Sequence, residues 1–558
     1  MGKLGREEKE AARSVPSHEK EREQKRRGDW RFTAPEWEEN DFFRALKEQF
    51  FWWKGNVQTS LKESSAVFPK WGREQLDFWS TFFLDAYSPS NLPFTNPEVI
   101  RNTILQNSEN YIRGVRNFFE DIAGGGVVPP LTDAKAFTLG ENIATTPGNI
   151  VFENDFFELI EYLPTNDVLV HRPIEKAPLL LISSWINKYY VFDLTDEKSF
   201  IQFNLKQGRR VFVLSWCSPD INSRADERSE NKADNSGQQF DFSLDEYLVF
   251  GIRRAIEEVV KRAESIGLKG KVNIVAMCAA GTLVLVMLAK TQPQKVCSPV
   301  DPLLEHIGSI TLLMAPYDFS LLKWIDFFLP SEQFKYISKQ QAFRKKVIPG
   351  KWLIQLFCLL RANELIWPNF VKRYLLGQDI EPMDFLFWNA DAPNLYTELL
   401  FDFMEMVWNK NIFFAPESPL DDSNKDCGTL SEEGVVQAGV RKIKNPVFVF
   451  GAQRDHIVPW QSCYAALEHL ENAIFVLGGG GHIAGCINSP TTNKYYFYKL
   501  EGANTSPENV ENSAMRERNQ PQSENRAKKM DADEWLRQTT RCDGSWWPFW
   551  SDWQEKFG

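Results

Sequence analysis

The 558-residue sequence lacks a basic excess, cysteine pairs at metal-binding spacing and a long uncharged apolar run. With 64 Lys and Arg against 75 Asp and Glu, its net charge is −11, which disfavours nucleic acid as the main partner because phosphate binding needs a basic face. The eight cysteines include no CxxC pair and none at zinc-finger spacing with histidine. We therefore expect no metal site and a reducing cytoplasm rather than a disulfide framework.

The sequence also lacks the features of a signal peptide or a membrane span. Its first residues, MGKLGREEKEAARS, are charged and contain no apolar stretch, and Arg6 stands where a myristoylation motif needs Ser or Thr. The longest uncharged apolar run, Ile274–Ala289, is short for a span and has a strand-to-helix pattern. We expect it in the core of a cytoplasmic protein without a membrane span.

Composition divides the chain into segments. We predict a disordered charged arm (1–27), a helical N-terminal domain (28–130), a catalytic domain (131–502), a polar linker (503–530) and a Trp-rich C-terminal segment (531–558). Within the catalytic domain, buried strand-like runs alternate with helical stretches, which indicates a mostly parallel sheet covered by helices. At about 320–415 an aromatic-rich helical stretch interrupts the alternation and is expected to form a cap over the strand ends.

Six short apolar runs predict buried strands. They are PLLLIS (178–183), RVFVLSW (210–216), VNIVAM (272–277), SITLLM (309–314), PVFVF (446–450) and AIFVL (473–477). A helix is predicted to begin at Ser243, because Glu246 three positions later completes a capping box.

Three candidate catalytic residues, Cys278, Asp455 and His482, each follow one of these strands. Nucleophile, acid and histidine occur in this chain order in α/β-hydrolases, so we predict that fold. A helix N-terminus behind the thiol favours the thiolate, the imidazole takes the proton, and the carboxylate orients the imidazole. Each residue alone also has a structural interpretation, as a core cysteine, a turn-capping aspartate or a core histidine; their shared placement favours catalysis.

Several long motifs resemble those of polyhydroxyalkanoate synthases, over nearly the whole chain beyond residue 28. They include WRFTAPEW (30–37), GENIATTPGNIVFEND (140–155), DFLFWNADAPNL (384–395), DHIVPW (455–460) and GHIAGCINSP (481–490). The terminal GSWWPFW (544–550) resembles the single-subunit class that prefers short-chain monomers.

The resemblance implies roles for the candidate residues. Cys278 would carry the growing acyl chain as a thioester, and His482 would be the general base that activates it. Asp455 would help to activate the 3-hydroxyl of the incoming monomer. His456 matches a second histidine near the site, with the alternative that it fixes the Asp455 carboxylate by a hydrogen bond.

Two stretches depart from the motifs of this family. The bend around Cys278 reads AMCAAG, where the family usually has G-x-C-x-G-G, so Ala276 and Ala280 each add a methyl group. We expect them to be tolerated if the facing backbone leaves room, and to tilt the thiol if it does not. Ser183-Ser184-Trp185 stands where the family usually has Pro-Pro-Trp; we expect this loop to supply one oxyanion donor and the Ala279 N–H the other.

The resemblance implies a polyester synthase acting on (R)-3-hydroxyacyl-CoA, with 3-hydroxybutyryl-CoA as the expected monomer. CoA would be a product, and no cofactor or metal is expected. The implied partners are the growing polyester chain, the surface of a cytoplasmic polyester granule and a second copy in a homodimer. Two alternatives stay open: an acyl-CoA thioesterase or polyester hydrolase on the same scaffold, and a catalytically impaired granule-associated protein with an altered bend.

Overall fold

The computed structural model describes most of the chain, in two compact units. The described residues are 29–126, 128–164, 176–221, 240–268, 270–293, 300–322, 347–405, 411–414, 432–500 and 530–558. The predicted arm (1–27) and nearly all of the predicted linker (503–530) lie outside them. The first unit spans Met1–Asp133 and Gln355–Glu381, and the second spans Ala134–Ile354 and Pro382–Gly558.

The first unit is helical, as predicted for the N-terminal region. Its α-helices are Glu36–Glu39, Asp41–Ser64, Lys70–Ala86, Pro97–Leu105, Glu109–Ala123, Ala362–Leu365 and Trp367–Phe370, with single turns at Trp30–Phe32, Ser65–Val67, Pro89–Asn91 and Val371–Leu375. Asparagine side chains begin two of these helices: Asn40 accepts from Phe42 N, and Asn96 accepts from Glu98 N.

Part of the predicted cap belongs to this first unit. Residues 355–381 pack against the helix Glu109–Ala123, where Asn110 donates to Leu375 O at 2.8 Å and Asn117 to Arg373 O at 3.2 Å. Arg373 also forms a 2.5 Å ion pair with Asp121. Of the predicted cap, residues 323–346, 406–410 and 415 lie outside the described residues. The described part is divided between the two units, and polar side chains of an N-terminal helix bind backbone groups more than 250 residues away in sequence.

The second unit contains a large mixed sheet. Its strands are β1 Asn149–Glu153, β2 Phe157–Tyr162, β3 Leu179–Ile182, β4 Val211–Trp216, β5 Val272–Met277, β6 Ile307–Leu313, β7 Val347–Ile348, β8 Leu395–Tyr396, β9 Val447–Ala452, β10 Ala473–Gly478, β11 Tyr496–Leu500 and β12 Thr539–Asp543. The order in the sheet is β1-β2-β4-β3-β5-β6-β9-β10-β11-β12, and β7 pairs with β8 separately. The six strands from β4 to β10 in this order are parallel, and all six were predicted.

Helices and short turns connect the strands of the second unit. In the second unit they are Phe200–Lys206, Leu244–Glu246 continuing through Tyr247–Arg253 into Arg254–Ser265, Ala279–Thr291, Asp384–Ala390, Thr397–Asp402, Glu432–Val440, Trp460–Tyr464, His482–Cys486, Ala532–Gln538 and Trp547–Phe557; short turns lie at Ala134–Ala136, Tyr189–Phe192, Asp196–Lys198, Pro302–His306, Phe319–Leu321 and Ala465–Glu468. The division at Gln355 falls within the helix Gly350–Leu360. The capping box is present, with Ser243 N donating to Glu246 Oε2 at 2.9 Å.

The antiparallel strands at both edges of the sheet were not predicted. β1 and β2 extend one edge, while β11 and β12 extend the other. β12 and the helix Trp547–Phe557 thus make the Trp-rich segment part of the second unit rather than a separate tail. The six parallel strands at the centre of the sheet, with Cys278, Asp455 and His482 following β5, β9 and β10 in chain order, confirm the predicted α/β-hydrolase fold. Among the described helices, none combines the length and apolar character that a bilayer crossing requires.

Candidate active site

Cys278 lies on a sharp bend between β5 and the helix Ala279–Thr291, which we call the elbow helix. Its backbone has φ 53° and ψ −131°, a conformation that a non-glycine residue rarely adopts. The Cys278 N–H donates to Leu313 O at 2.8 Å, which ties the bend to the end of β6. Such a strained strand-to-helix turn presents a nucleophile above the sheet.

Small side chains allow the elbow helix to approach the sheet. A Cβ on Gly281 would lie 2.5 Å from Ala315 Cβ, so this position requires glycine. Ala276 and Ala280 are completely buried, and the bend forms with both methyl groups present.

His482 begins the short helix His482–Cys486, which we call the histidine helix, after four consecutive glycines. Two of these glycines lie where no side chain would fit. A Cβ on Gly479 would lie 2.5 Å from the Tyr496 ring, and one on Gly480 would lie 2.6 Å from Gly485 N. The glycines permit close packing rather than freedom of movement.

Backbone hydrogen bonds join this glycine loop to the turn that carries Asp455. Gln453 N donates to Gly478 O at 2.7 Å, and Arg454 N donates to Gly480 O at 2.9 Å. Because β9 and β10 are parallel neighbours, the residues that follow them come together at the same edge of the sheet. Main-chain hydrogen bonds between the two loops thus hold Asp455 and His482 next to each other.

The three predicted catalytic side chains meet in a buried cluster. His482 Nδ1 lies 2.5 Å from Asp455 Oδ2, and the Cys278 thiol lies close enough to the imidazole to help raise its pKa. The other carboxylate oxygen of Asp455 accepts the N–H groups of Ile457 and Val458, each at 2.9 Å. The Asp455 side chain has no solvent-accessible surface, so its orientation is fixed entirely by these donors.

The environment favours the protonated form of His482. Burial alone would lower the pKa of this imidazole. The negative charges of Asp455 and Cys278, together with the hydrogen bond to Asp455, outweigh burial and raise the pKa well above its usual value. The arrangement therefore suits an imidazolium that lies between a carboxylate and a sulfur nucleophile.

Comparison with known proteins agrees with this geometry. Residues 28–204 match the family model described as "Poly-beta-hydroxybutyrate polymerase (PhaC) N-terminus". The chain is 31% identical to a poly(3-hydroxyalkanoate) polymerase subunit of Cupriavidus necator, over 94% of this chain and 77% of that one. It is 30% identical to the corresponding subunit of Rhizobium etli, over 95% of this chain and 72% of the other.

The chain belongs to the poly(3-hydroxyalkanoate) polymerase family. It is therefore an enzyme of the acyltransferase class. Among solved structures, a monoacylglycerol lipase from Paleococcus ferrophilus matches at 12% identity, with 58% of this chain and 90% of that chain covered and a TM-score of 0.30. The fold assignment rests on the sheet order and the bend at Cys278, not on that match.

The supporting residues predicted for this polymerase-family chain are placed as follows. Ala279 is the first residue of the elbow helix, so its N–H has no intrahelical acceptor. Ser184 and Trp185 are buried just after β3, the parallel neighbour of β5. His456 is exposed, and the carboxylate beside it is bound by Ile457, Val458 and His482.

Sequence reasoning missed two contributions to the site. Cys463 is buried within electrostatic range of Asp455 and Cys278; burial, then those two charges, raises the pKa of its thiol well above the usual value. The indole N–H of Trp547 donates to Cys486 O at 2.9 Å, which fixes the end of the histidine helix. From the sequence, the Trp-rich motif indicated only a family resemblance. Its contact with Cys486, 61 residues earlier, could not be predicted from local patterns.

Among the residues that the structure describes, no three His, Cys, Asp or Glu side chains are grouped so that they could hold a metal ion. The described cysteines are free thiols: Cys217, Cys278, Cys358, Cys463, Cys486 and Cys542.

Proposed function

We propose that this enzyme polymerises (R)-3-hydroxyacyl-CoA into a polyester through an acyl group held on Cys278, with 3-hydroxybutyryl-CoA as the expected monomer. The observation that carries the proposal is the buried cluster in which His482 lies beside the Cys278 thiol and is hydrogen-bonded to the Asp455 carboxylate. The names of the curated relatives, which match over most of the chain, support the same class of product.

In the first step, His482 holds the proton of Cys278, and the thiolate attacks the carbonyl carbon of the CoA thioester. The oxyanion that forms accepts hydrogen bonds from Ala279 N–H and from the loop after β3. When the tetrahedral intermediate collapses, the bond to the CoA sulfur breaks. The CoA thiolate then leaves and takes the proton from the His482 imidazolium.

In the second step, the 3-hydroxyl of a further hydroxyacyl group attacks the acyl-cysteine. His482 takes the hydroxyl proton, the ester C–O bond forms and the C–S bond to Cys278 breaks. The thiolate is thereby restored beside the imidazolium. Because a thioester is reactive enough to pass its acyl group to an alcohol, neither ATP nor another cofactor enters the sequence.

We assign Asp455 the role of orienting His482, rather than the direct activation of the 3-hydroxyl that the family resemblance implies. One carboxylate oxygen accepts two backbone N–H groups, and the other accepts His482 Nδ1. Because both carboxylate oxygens are already occupied, a substrate hydroxyl would meet the imidazole instead. This assignment makes His482 the base in both steps.

Protection from water separates a polymerase from a thioesterase. Cys278 and His482 are only 9% and 8% exposed. The Trp185 ring, which packs edge-on to Phe403 with centroids 5.5 Å apart, adds apolar surface beyond the end of β3. Restricted access would let the acyl-cysteine survive until an alcohol arrives, whereas free access would favour hydrolysis.

The family resemblance also supports a cytoplasmic enzyme at the surface of a polyester granule, acting as a homodimer. Size-exclusion chromatography with light scattering, with and without 3-hydroxybutyryl-CoA, tests the oligomeric state. Fluorescence microscopy of the tagged full chain in polyester-producing cells tests the location. A strictly monomeric active enzyme, or a diffuse signal in granule-containing cells, would contradict the respective proposal.

The function is tested by supplying purified protein with 3-hydroxybutyryl-CoA and measuring CoA release, turbidity and free 3-hydroxybutyrate. We expect CoA release with polymer for the wild type, none for Cys278→Ala, and wild-type activity for the control Cys542→Ala on β12. Free 3-hydroxybutyrate without polymer would identify a thioesterase. Failure of the wild type to release CoA would support the impaired granule-associated alternative.

A further inference from the structure

Three consecutive residues after β3 bury polar atoms for which the described part of the chain offers no hydrogen-bond partner. They are Ser183, Ser184 and Trp185, which we call the β3 triplet, and their exposed fractions are 0%, 2% and 3%. The atoms concerned are both serine hydroxyls and the indole nitrogen. Buried polar groups are nearly always paired, so three unpaired groups in succession require an explanation.

The backbone of the triplet is firmly held. Trp216 Nε1 donates to Ser183 O at 2.9 Å, and Asn187 N donates to Ser184 O at 3.1 Å. The Trp185 ring packs against Phe403. The carbonyl groups of Ser183 and Ser184 and the Trp185 ring thus have partners. The two hydroxyls and the indole N–H have none among the described residues.

The triplet lies beside the nucleophile. β3 pairs in parallel with β5, and the last pair in the register is Ile182 with Ala276. Ser184 and Cys278 each follow that pair by two residues, so the strand register brings them to the same level of the sheet edge. The triplet therefore follows the strand next to the one that carries the nucleophile, at the same edge of the sheet.

The chemistry of the triplet restricts what can bind there. An indole N–H only donates, and a serine hydroxyl donates as readily as it accepts. A fitting ligand therefore offers several acceptors close together. Acyl thioesters and polyesters do so through their carbonyl oxygens, and a polyester segment has no donor except its terminal hydroxyl.

We propose that the side chains of the β3 triplet form a polar subsite that binds carbonyl oxygens of the acyl chain attached to, or arriving at, Cys278. This proposal rests on the proposed function and adds a specific substrate contact to it. The hydroxyls of Ser183 and Ser184 occupy positions where the family usually has prolines, so the subsite is a feature of this chain. Its unpaired donors become satisfied when substrate binds.

The test separates a substrate contact from a structural role by using two buried serines. Ser184→Ala removes an unpaired hydroxyl, whereas the control Ser309→Ala removes a hydroxyl bound to Asn273 and Gln554. We expect Ser184→Ala to lower kcat/KM for CoA release about three- to tenfold, the range for one neutral hydrogen bond, with an unchanged or higher Tm. Ser309→Ala lowers Tm and leaves kcat/KM unchanged.

A binding measurement identifies the carbonyl concerned. In the Cys278→Ala background, calorimetry compares CoA, 3-hydroxybutyryl-CoA and the CoA thioester of the hydroxybutyrate dimer, each with and without Ser184→Ala. Weaker binding of both acyl-CoAs, with CoA unaffected, assigns the contact to the thioester carbonyl. Weaker binding of the dimer alone assigns it to an ester carbonyl. Either result supports the subsite.

Other outcomes overturn the proposal. A lower Tm for Ser184→Ala with unchanged kcat/KM means that the hydroxyl has a structural partner in the protein. No change in kcat/KM, Kd or Tm means that it holds a bound water only. If the wild type releases no CoA at all, the proposed function itself fails; if the wild type is active and Ser184→Ala equals it, only the subsite fails.

Discussion

Replacement of Asp455 by asparagine tests the assignment of this residue as the group that orients His482. Asparagine has nearly the same shape, and its amide oxygen can still accept the N–H groups of Ile457 and Val458. The amide NH₂ then faces His482 Nδ1, so the imidazole must present a lone pair there and a proton toward Cys278. That tautomer cannot accept the proton of the thiol.

The magnitude follows from the burial of the pair. Removing one partner of a buried ion pair costs about 3–5 kcal/mol. If this loss falls on the transition state, CoA release slows by roughly 10²- to 10⁴-fold. Loss of the carboxylate charge also lowers the pKa of His482, whose raised value depends largely on Asp455.

The pH dependence of stability provides a second readout. A raised pKa means that folding favours protonated His482, so this stabilisation is complete below about pH 6.5 and is lost as pH rises through the folded-state pKa. In Asp455→Asn the loss should occur at lower pH. Initial rates of CoA release and Tm between pH 5 and 9 (about the range in which His titrates) measure both effects.

Asp543→Asn is the matched control, because this aspartate side chain is 86% exposed on β12 and should leave rate and stability unchanged. A rate for Asp455→Asn within about threefold of the wild type, with an unaltered pH dependence of Tm, would refute the reasoning. Such a result would mean that His482 is held in place by groups other than this carboxylate.

Three further changes test other parts of the structure. Gly281→Ala should abolish activity and lower Tm, because the added Cβ would lie 2.5 Å from Ala315 Cβ. Adding Ala315→Gly to this variant should restore activity and Tm, and failure of this rescue would contradict the packing argument. Restoring glycine at 276 and 280 should change kcat by less than about tenfold, since the bend already accommodates both alanines, and a much larger gain would show that they impair the elbow. Asp85→Asn should destabilise the protein by about 1.5–3 kcal/mol in urea unfolding, because it weakens the charged hydrogen bonds that buried Arg31 and partly buried Lys54 donate to this carboxylate; equal stability would contradict it.

The parallel centre of the sheet was predictable because it is buried on both faces. β5 and β6 are mainly apolar and buried along their whole length, and the order of the residues that follow the strands predicts the fold class. β1 was missed because it is mostly exposed, with only partial burial of its central residues. The division of the 320–415 stretch was missed because the contacts of Asn110 and Asn117 with the 371–377 backbone are not encoded in local patterns.

The candidate site was predicted as a set of residues but not as a geometry. Chain order indicates Cys278, Asp455 and His482 as partners, yet the sequence does not reveal that both oxygens of Asp455 are occupied. Likewise, the packing of the glycines before His482 depends on the Tyr496 ring. Trp547 became part of the account only when its indole N–H was seen to hold the end of the histidine helix.

Whether Cys278 carries the acyl group is tested most directly by locating that group on the protein. The enzyme is mixed briefly with 3-hydroxybutyryl-CoA, quenched in acid and digested, and its cysteine-containing peptides are analysed by mass spectrometry. We predict a hydroxybutyryl thioester, or a short oligomer of it, on the peptide that contains Cys278 and on no other. An acyl group on a different residue, or CoA release by Cys278→Ala at the wild-type rate, would contradict it.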